Sequence, residues 1–183
     1  ILDKPLPFRG YKKKYNTEKK NYHSSDDYKV LLGYIKAINE RRPEIKVLII
    51  DDFQYLMAHE FMNRVSERGY DKYSELALHA WSVIRALTET REDLHCFVLT
   101  HSDADQQGNM KIKTIGRLLD DKITLEGMFT CCLYSIVIDG EYKFITNSDG
   151  IHLSKSPLGL FESQYIDNDL ANVVKTMEEY FND

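Results

Sequence analysis

The sequence predicts an α/β protein in which helices cover a mostly parallel central sheet in three layers and the sheet ends in an antiparallel hairpin. Residues 46–50 and 96–99 are short, essentially apolar runs without polar alternation, a pattern typical of strands buried on both faces of a parallel sheet. A long helical pattern at residues 73–91 separates them. This order predicts a right-handed strand-helix-strand unit.

Length and composition favour one soluble domain covering residues 1–183. Of the 183 residues, 43% are hydrophobic, enough to form a core. No apolar run approaches the roughly 18 residues of a membrane span, and the N-terminus lacks the pattern of a secretion signal, so we expect no membrane partner. Cys96, Cys131 and Cys132 lie in strand-like runs without C-x-x-C spacing. We therefore expect a reducing cytoplasm.

The N-terminal region combines a short apolar stretch with a basic one. Residues 1–8 predict a strand that ends at two prolines. Residues 9–23, which we call the basic segment, contain six Lys or Arg and one acid. The alternation of Tyr11, Lys13 and Tyr15 predicts that the basic segment is a hairpin excursion.

Capping residues and turn signals place the other elements. Residues 24–27 offer N-cap side chains to a helix that Pro43 ends. Residues 102–113 predict a mobile polar loop. Asp139-Gly140 favours a tight turn between strands at 130–138 and 142–146. A final amphipathic helix is expected after Asp167 or Asn168.

The strand at residues 46–50 runs into two consecutive carboxylates, Asp51 and Asp52. Ligands of α/β sheets bind at the carboxyl ends of the strands, where one carboxylate can organise Mg²⁺ through water and the next can orient or deprotonate an attacking water. The alternative is that the pair only ends a strand and begins a loop. Thr100 and His101 follow the neighbouring strand and are candidates at the same edge; a lone histidine there can also be structural.

Several motifs resemble the RecA-like P-loop ATPases of bacteriophages, the group associated with single-strand annealing and recombination. The resemblance spans nearly the whole chain and is carried by the stretches at 4–8, 47–53, 99–101 and 155–161, with 47–52 similar to a Walker B strand. It implies a RecA-like ATPase core with ATP and Mg²⁺ as cofactors. Asp51 would then hold the metal shell, Asp52 would position water, and Thr100 or His101 would sense the γ-phosphate.

The same resemblance implies biological partners. These are single-stranded DNA in recombination or replication, self-association into a ring or filament, and a single-strand-binding protein, all in the cytoplasm of a bacterial host. Lys155 is a candidate for completing a neighbouring subunit's site across a head-to-tail interface; a solvated loop lysine is the alternative.

The chain departs from the family because it contains no G-x-x-x-x-G-K-[ST] motif. That motif cradles phosphates with backbone N–H groups. The chain opens on Ile1 rather than Met, so we expect that the first strand and phosphate-binding loop lie upstream. The alternative is a catalytically silent relative that serves as a DNA-binding or assembly module.

Two stretches are candidates for contact with DNA. Lys111 and Lys113 follow the second apolar run and match the region that approaches single strands in the RecA-like proteins that the chain resembles. Lys12, Lys13 and Lys14 lie among tyrosines, which suits backbone tracking and base stacking, although a solvated basic hairpin is the simpler interpretation.

A second rival function is a metal-dependent nuclease that uses Asp51 and Asp52 without ATP. A separate metal site at His101, Asp103 and Asp105 is disfavoured, because the polar composition of that loop explains these side chains better.

Overall fold

The computed structural model describes residues 1, 5–119 and 121–182, together with the backbone of Asp120. The chain divides into two compact units. Ile1–His101 with Thr114–Lys122 form the first unit, and Ser102–Lys113 with Ile123–Asp183 form the second. Helices and small sheets are mixed along the chain, which confirms the α/β class in its coarse form.

No strand forms at the described N-terminal residues. The predicted strand at 1–8 falls partly on residues 2–4, which lie outside the described residues, as does Lys4 of the first quoted motif. The chain from Pro5 to Phe8 is irregular, so the strand prediction was wrong there. The two prolines explain the irregular path because they have no N–H to donate to a sheet.

The basic segment forms a helical turn, and the hairpin prediction was wrong. Helix α1 spans Tyr11–Lys14. The side-chain amides of Asn16 and Asn21 donate hydrogen bonds of 2.8 and 2.9 Å to main-chain carbonyls of α1. Asparagine side chains therefore satisfy this backbone where a partner strand would otherwise be needed.

Helix α2, Tyr28–Arg41, begins where its capping signal predicts. The Asp27 side chain accepts a hydrogen bond of 2.8 Å from the N–H of Lys29, which satisfies one of the N–H groups left open at a helix start. The helix ends shortly before Pro43, because the residue preceding a proline disfavours helical backbone angles.

Strands β1, Val47–Ile50, and β2, His95–Val98, form the predicted parallel pair, with Ile49 opposite Phe97. Their burial differs from the prediction. Ile50 is buried, but Val47 and Ile49 are 44% and 51% exposed. The prediction that β1 is buried on both faces was wrong for the described residues, because one face of β1 is open in them.

Two helices connect β1 to β2: α3, Gln54–Asn63, and α4, Asp71–Thr88. Helix α4 supplies much of the core of the first unit, since Leu76, Ala80 and Val83 are fully buried. Three residues of the apolar face predicted for this helix are buried, which confirms the prediction there: Ala77, Ile84 and Leu87. The fourth, Trp81, is half-buried.

The second unit begins with a hairpin where the sequence predicts a mobile loop. Strands β3, Ser102–Ala104, and β4, Met110–Ile112, pair antiparallel. The Asp105 carboxylate closes their turn by accepting hydrogen bonds of 2.8 Å from the N–H groups of Gln107 and Asn109. The loop prediction was wrong because the polar residues in this stretch form the turn itself.

A three-stranded antiparallel sheet follows in the second unit. Strands β5, Tyr134–Ile138, and β6, Glu141–Ile145, form the predicted hairpin, and β7, Tyr165–Asp167, adds to β6. Asp139 and Gly140 both have positive φ, at 51° and 83°, as the tight turn of such a hairpin requires.

The remaining elements are short turns and one terminal helix. A π-helical turn at Leu119–Ile123 and a 3₁₀ turn at Leu125–Met128 precede β5. Helix α5, Leu170–Asn182, begins after Asp169, whose side chain accepts from the N–H of Ala171 at 2.8 Å. In the described part of the chain no helix has the length and apolar character needed to span a membrane.

Candidate functional site

The candidate site lies where β1 and β2 end in the first unit. Backbone hydrogen bonding between the two segments continues past the ends of β1 and β2. The N–H of Leu99 donates to the carbonyl of Ile50, and the N–H of Phe53 donates to the carbonyl of Leu99, each at 2.9 Å. Residues 51–53 and 99–101 therefore run side by side. This is the carboxyl edge of a parallel pair, where α/β proteins place ligands.

A contact between Asp52 and His101 joins the two strand ends. The Nε2 atom of His101 lies 3.3 Å from Oδ1 of Asp52. Asp52 is only 8% exposed, whereas the His101 side chain is 55% exposed. The edge of the Tyr55 ring faces the His101 ring at 6.1 Å between centroids. A buried carboxylate is thus paired with an imidazole that solvent or a ligand can reach.

Asp51 lies beside this pair and is half-buried. Its Oδ1 accepts a hydrogen bond of 3.0 Å from the N–H of Asp52, which fixes the carboxylate at the strand end. Magnesium binds through one or two carboxylates and keeps several waters, so the donor set of Asp51 and Asp52 fits Mg²⁺. Within the described residues, no group of three or more His, Cys, Asp or Glu side chains is placed to hold a metal ion.

Thr100 follows the end of β2 and makes a local contact. Its Oγ1 donates to the carbonyl of His101 at 3.5 Å. Of the two sensor candidates named from the sequence, His101 is the one that contacts a candidate carboxylate, that of Asp52.

Gln54 is a residue of this edge that the sequence reasoning missed. It opens α3 two residues after Asp52, and its Oε1 is buried without a hydrogen-bond partner among the described residues. Buried amide oxygens are normally satisfied, so this unsatisfied oxygen, two positions after Asp52 in the sequence, is a candidate acceptor for a ligand or water. The signal in the sequence was a polar residue within an otherwise apolar helix start.

Lys155 belongs to the second unit, whereas the residues that follow β1 and β2 belong to the first. Its backbone forms an antiparallel bridge with Cys132, with hydrogen bonds of 2.8 and 3.0 Å. Burial raises the pKa of the Cys132 thiol to about 11, against the opposing effect of the Lys155 charge. Lys155 is half-buried in this bridge, which makes it a structured lysine and leaves its predicted role in a neighbour's site a prediction.

Lys111 and Lys113 lie on and just after β4. Lys113 Nζ is 3.9 Å from Oδ2 of Asp103, and Lys111 stands opposite Asp103 in the β3–β4 pairing. The hairpin at 102–113 contains two Asp and two Lys and so carries no net charge. Its attraction for a phosphate backbone is correspondingly weak.

Lys12, Lys13 and Lys14 form most of α1 and are exposed to solvent. None of the three lies in a salt bridge in the described part of the chain. Of the predicted DNA contacts, these lysines are the ones whose charge is not balanced by a neighbouring acid.

Comparison with known proteins gave no match: no family model fits the chain, and neither the curated proteins nor the solved structures contain a match to it.

Proposed function

We propose that this chain forms the greater part of a RecA-like P-loop ATPase core, which hydrolyses ATP with Mg²⁺ and acts on single-stranded DNA. The observation that carries the proposal is the pair of carboxylates at the end of β1, with Asp52 contacted at 3.3 Å by His101 from the end of the parallel strand β2. This is the edge of the sheet, and the type of residue, that phosphoryl transfer requires.

The proposed chemistry assigns a role to each residue at this edge. Asp51 would hold a magnesium ion, and Asp52 would orient the attacking water and take up its proton. Bound Mg²⁺ supplies charge neutralisation for the phosphate oxygens. His101, which follows the second strand, contacts the Asp52 carboxylate with a ring that is exposed and so accessible to a bound phosphate.

The exposed face of β1 supports the view that a further layer of structure packs on this sheet. A two-stranded sheet is marginally stable by itself, and parallel sheets are normally covered on both faces. Val47 and Ile49 are nevertheless about half exposed. We propose that a segment carrying the phosphate-binding loop packs there and adds the N–H cradle that these residues do not contain.

The test is ATP hydrolysis by the protein expressed from its complete gene, with and without single-stranded DNA, beside an Asp51→Ala variant. We expect turnover that DNA stimulates and that the variant loses. Absence of turnover under every condition would contradict the ATPase proposal.

A silent DNA-binding or assembly module is the second candidate, favoured by the lack of a phosphate-binding loop in the sequence. The same assay separates the two functions, because a silent module binds single-stranded DNA without hydrolysing ATP. DNA cleavage with Mg²⁺ in the absence of ATP would instead indicate the nuclease alternative.

A further inference from the structure

The basic segment concentrates positive charge in an acidic protein. Residues 9–23 contain six Lys or Arg and one Glu, a net charge of +5, whereas the whole chain has a net charge of −5. The remaining residues therefore carry a net charge of −10. A local field of opposite sign to the rest of the surface attracts a polyanion and orients it at one place.

The cations of the basic segment are exposed to solvent, and one of them, Lys19, donates to the main-chain carbonyl of Lys13. Every one of them is exposed, and none lies in a salt bridge among the described residues: Arg9, Lys12, Lys13, Lys14, Lys19 and Lys20. By contrast, the charge of Lys113 in the β3–β4 hairpin lies 3.9 Å from Asp103. The basic segment is thus the stronger phosphate-binding candidate.

Aromatic rings lie among these cations. Phe8 and Tyr15 are 46% and 42% exposed, and their rings meet edge to face at 6.0 Å between centroids. Tyr11 also packs edge to face on Phe8, at 6.1 Å. Exposed rings beside lysines suit nucleobases, which stack on aromatic side chains while their phosphates contact the cations.

The backbone of the segment is held in one shape. Asn16 and Asn21 are joined by a hydrogen bond of 3.0 Å from Asn16 N–H to Asn21 Oδ1, and their side chains donate to carbonyls of α1. Asn16 Oδ1 also accepts from Lys19 N–H at 2.9 Å. Such a fixed loop presents its lysines and rings without a large ordering cost on binding.

From charge, exposure, rings and fixed backbone together, we infer that the basic segment with Phe8 is a binding site for single-stranded nucleic acid. Lys12, Lys13 and Lys14 contact phosphates, and Tyr15 and Phe8 stack bases. The inference takes its ligand class from the proposed function, action on single-stranded DNA, but it requires neither ATP nor hydrolysis.

The test measures binding of the protein to fluorescently labelled oligothymidylate by anisotropy at several salt concentrations, without nucleotide. A plot of log affinity against log salt concentration has a negative slope. The triple variant Lys12→Gln, Lys13→Gln, Lys14→Gln should make this slope shallower by about 2, since each lost phosphate contact on a single strand reduces its magnitude by about 0.7. Circular dichroism checks that the variant is folded.

A matched triple variant removes the same charge elsewhere. It replaces exposed lysines outside the basic segment: Lys36→Gln, Lys122→Gln and Lys175→Gln. We expect its salt dependence to match that of the unsubstituted protein. Equal slopes for the two triple variants would overturn the inference, because only overall charge would then matter.

Stacking is tested at Tyr15. Replacing it by Ala should weaken binding about fivefold or more, and Tyr15→Phe should restore affinity because the ring alone is needed. Equal affinity of the Ala and Phe variants would exclude a stacking role. If the lysine variant lost binding to anionic lipid vesicles while oligothymidylate binding was absent or unchanged, the segment would be a membrane-surface site and the inference would be wrong.

The two proposals fail separately. A protein that binds oligothymidylate through the basic segment and does not hydrolyse ATP contradicts only the ATPase proposal. A protein that hydrolyses ATP and whose oligothymidylate binding is unchanged by substitutions in the basic segment contradicts only this inference.

Discussion

The Nε2 atom of His101 lies 3.3 Å from Oδ1 of Asp52, so the residues that follow two parallel strands are linked by a polar contact at the sheet edge. Asp52 is buried and His101 is exposed. Through this contact a residue that follows the second strand lies against a carboxylate that follows the first.

His101 should affect turnover more than nucleotide affinity. We expect His101→Ala to lower kcat for ATP by about tenfold to a hundredfold, equivalent to about 1.4–2.7 kcal/mol of activation free energy, because the Asp52 carboxylate loses its 3.3 Å contact with an imidazole. KM should change little. His23→Ala, which removes an exposed histidine outside the site, is the control in assays without DNA. A fall in kcat of equal size in both variants would contradict a specific role for His101.

The core of the first unit should depend on the buried face of α4. Leu76 is fully buried, whereas Leu78 on the same helix is 53% exposed. We expect Leu76→Ala to reduce the free energy of unfolding by about 2–5 kcal/mol and Leu78→Ala to change it by less than about 0.5 kcal/mol. Urea denaturation followed by circular dichroism measures both. Similar losses would mean that this face of α4 is not the core.

The start of α2 should depend on its N-cap. Asp27→Ala removes the acceptor for the N–H of Lys29 and should lower the free energy of unfolding by about 1 kcal/mol. Asp27→Asn keeps a side-chain oxygen in the same place and should retain nearly all the stability. Thermal unfolding of the three proteins provides the comparison, and an Asn variant as unstable as the Ala variant would argue against capping.

Acid should destabilise the second unit partly through Asp149. Hydrogen bonds from the backbone N–H and ring of His152, and from the N–H of Ile151, hold the pKa of the Asp149 carboxyl well below its ordinary value. Since the folded pKa is depressed, this stabilisation is complete above the unfolded pKa of about 4 and is lost as pH falls below it.

The variant Asp149→Asn should therefore show a shallower decline of melting temperature below about pH 4 than the unsubstituted protein. Asp139→Asn, in an exposed turn, serves as the control. Identical acid profiles for the unsubstituted protein and Asp149→Asn would rule out a contribution from this carboxyl.

Local signals in the sequence predicted most of the regular elements. The cap at Asp27, the apolar periodicity of α4 and the Asp139-Gly140 turn each act within a few residues, and each is confirmed. The parallel pairing of β1 with β2 was also predicted, because two apolar runs separated by a helical pattern have few other arrangements.

Side-chain hydrogen bonds to the backbone caused the main errors. Alternation at Tyr11 and Tyr15 suggested a strand, but Asn16 and Asn21 bond to the carbonyls of a helical turn instead. In the same way, Asp105 converts a polar stretch into the turn of a hairpin. Such bonds compete with regular structure and leave no periodic pattern to detect.

The candidate site was predictable only where it follows strand ends. Asp51, Asp52 and His101 were identified because they lie within two residues of the end of an apolar run. Gln54 was missed, since its buried and unsatisfied Oε1 is a property of packing around the start of α3. The exposure of Val47 and Ile49 was likewise invisible in an apolar run that predicts burial.

The most direct test of the central claim compares Asp52→Asn with Asp139→Asn in the protein expressed from its complete gene. Both changes remove one carboxylate, and Asn tolerates the positive φ at position 139. We predict that Asp52→Asn lowers kcat for ATP by about a hundredfold or more while ATP binding is retained, and that Asp139→Asn hydrolyses ATP normally. Equal hydrolysis by the two variants would contradict an ATPase site at the end of β1.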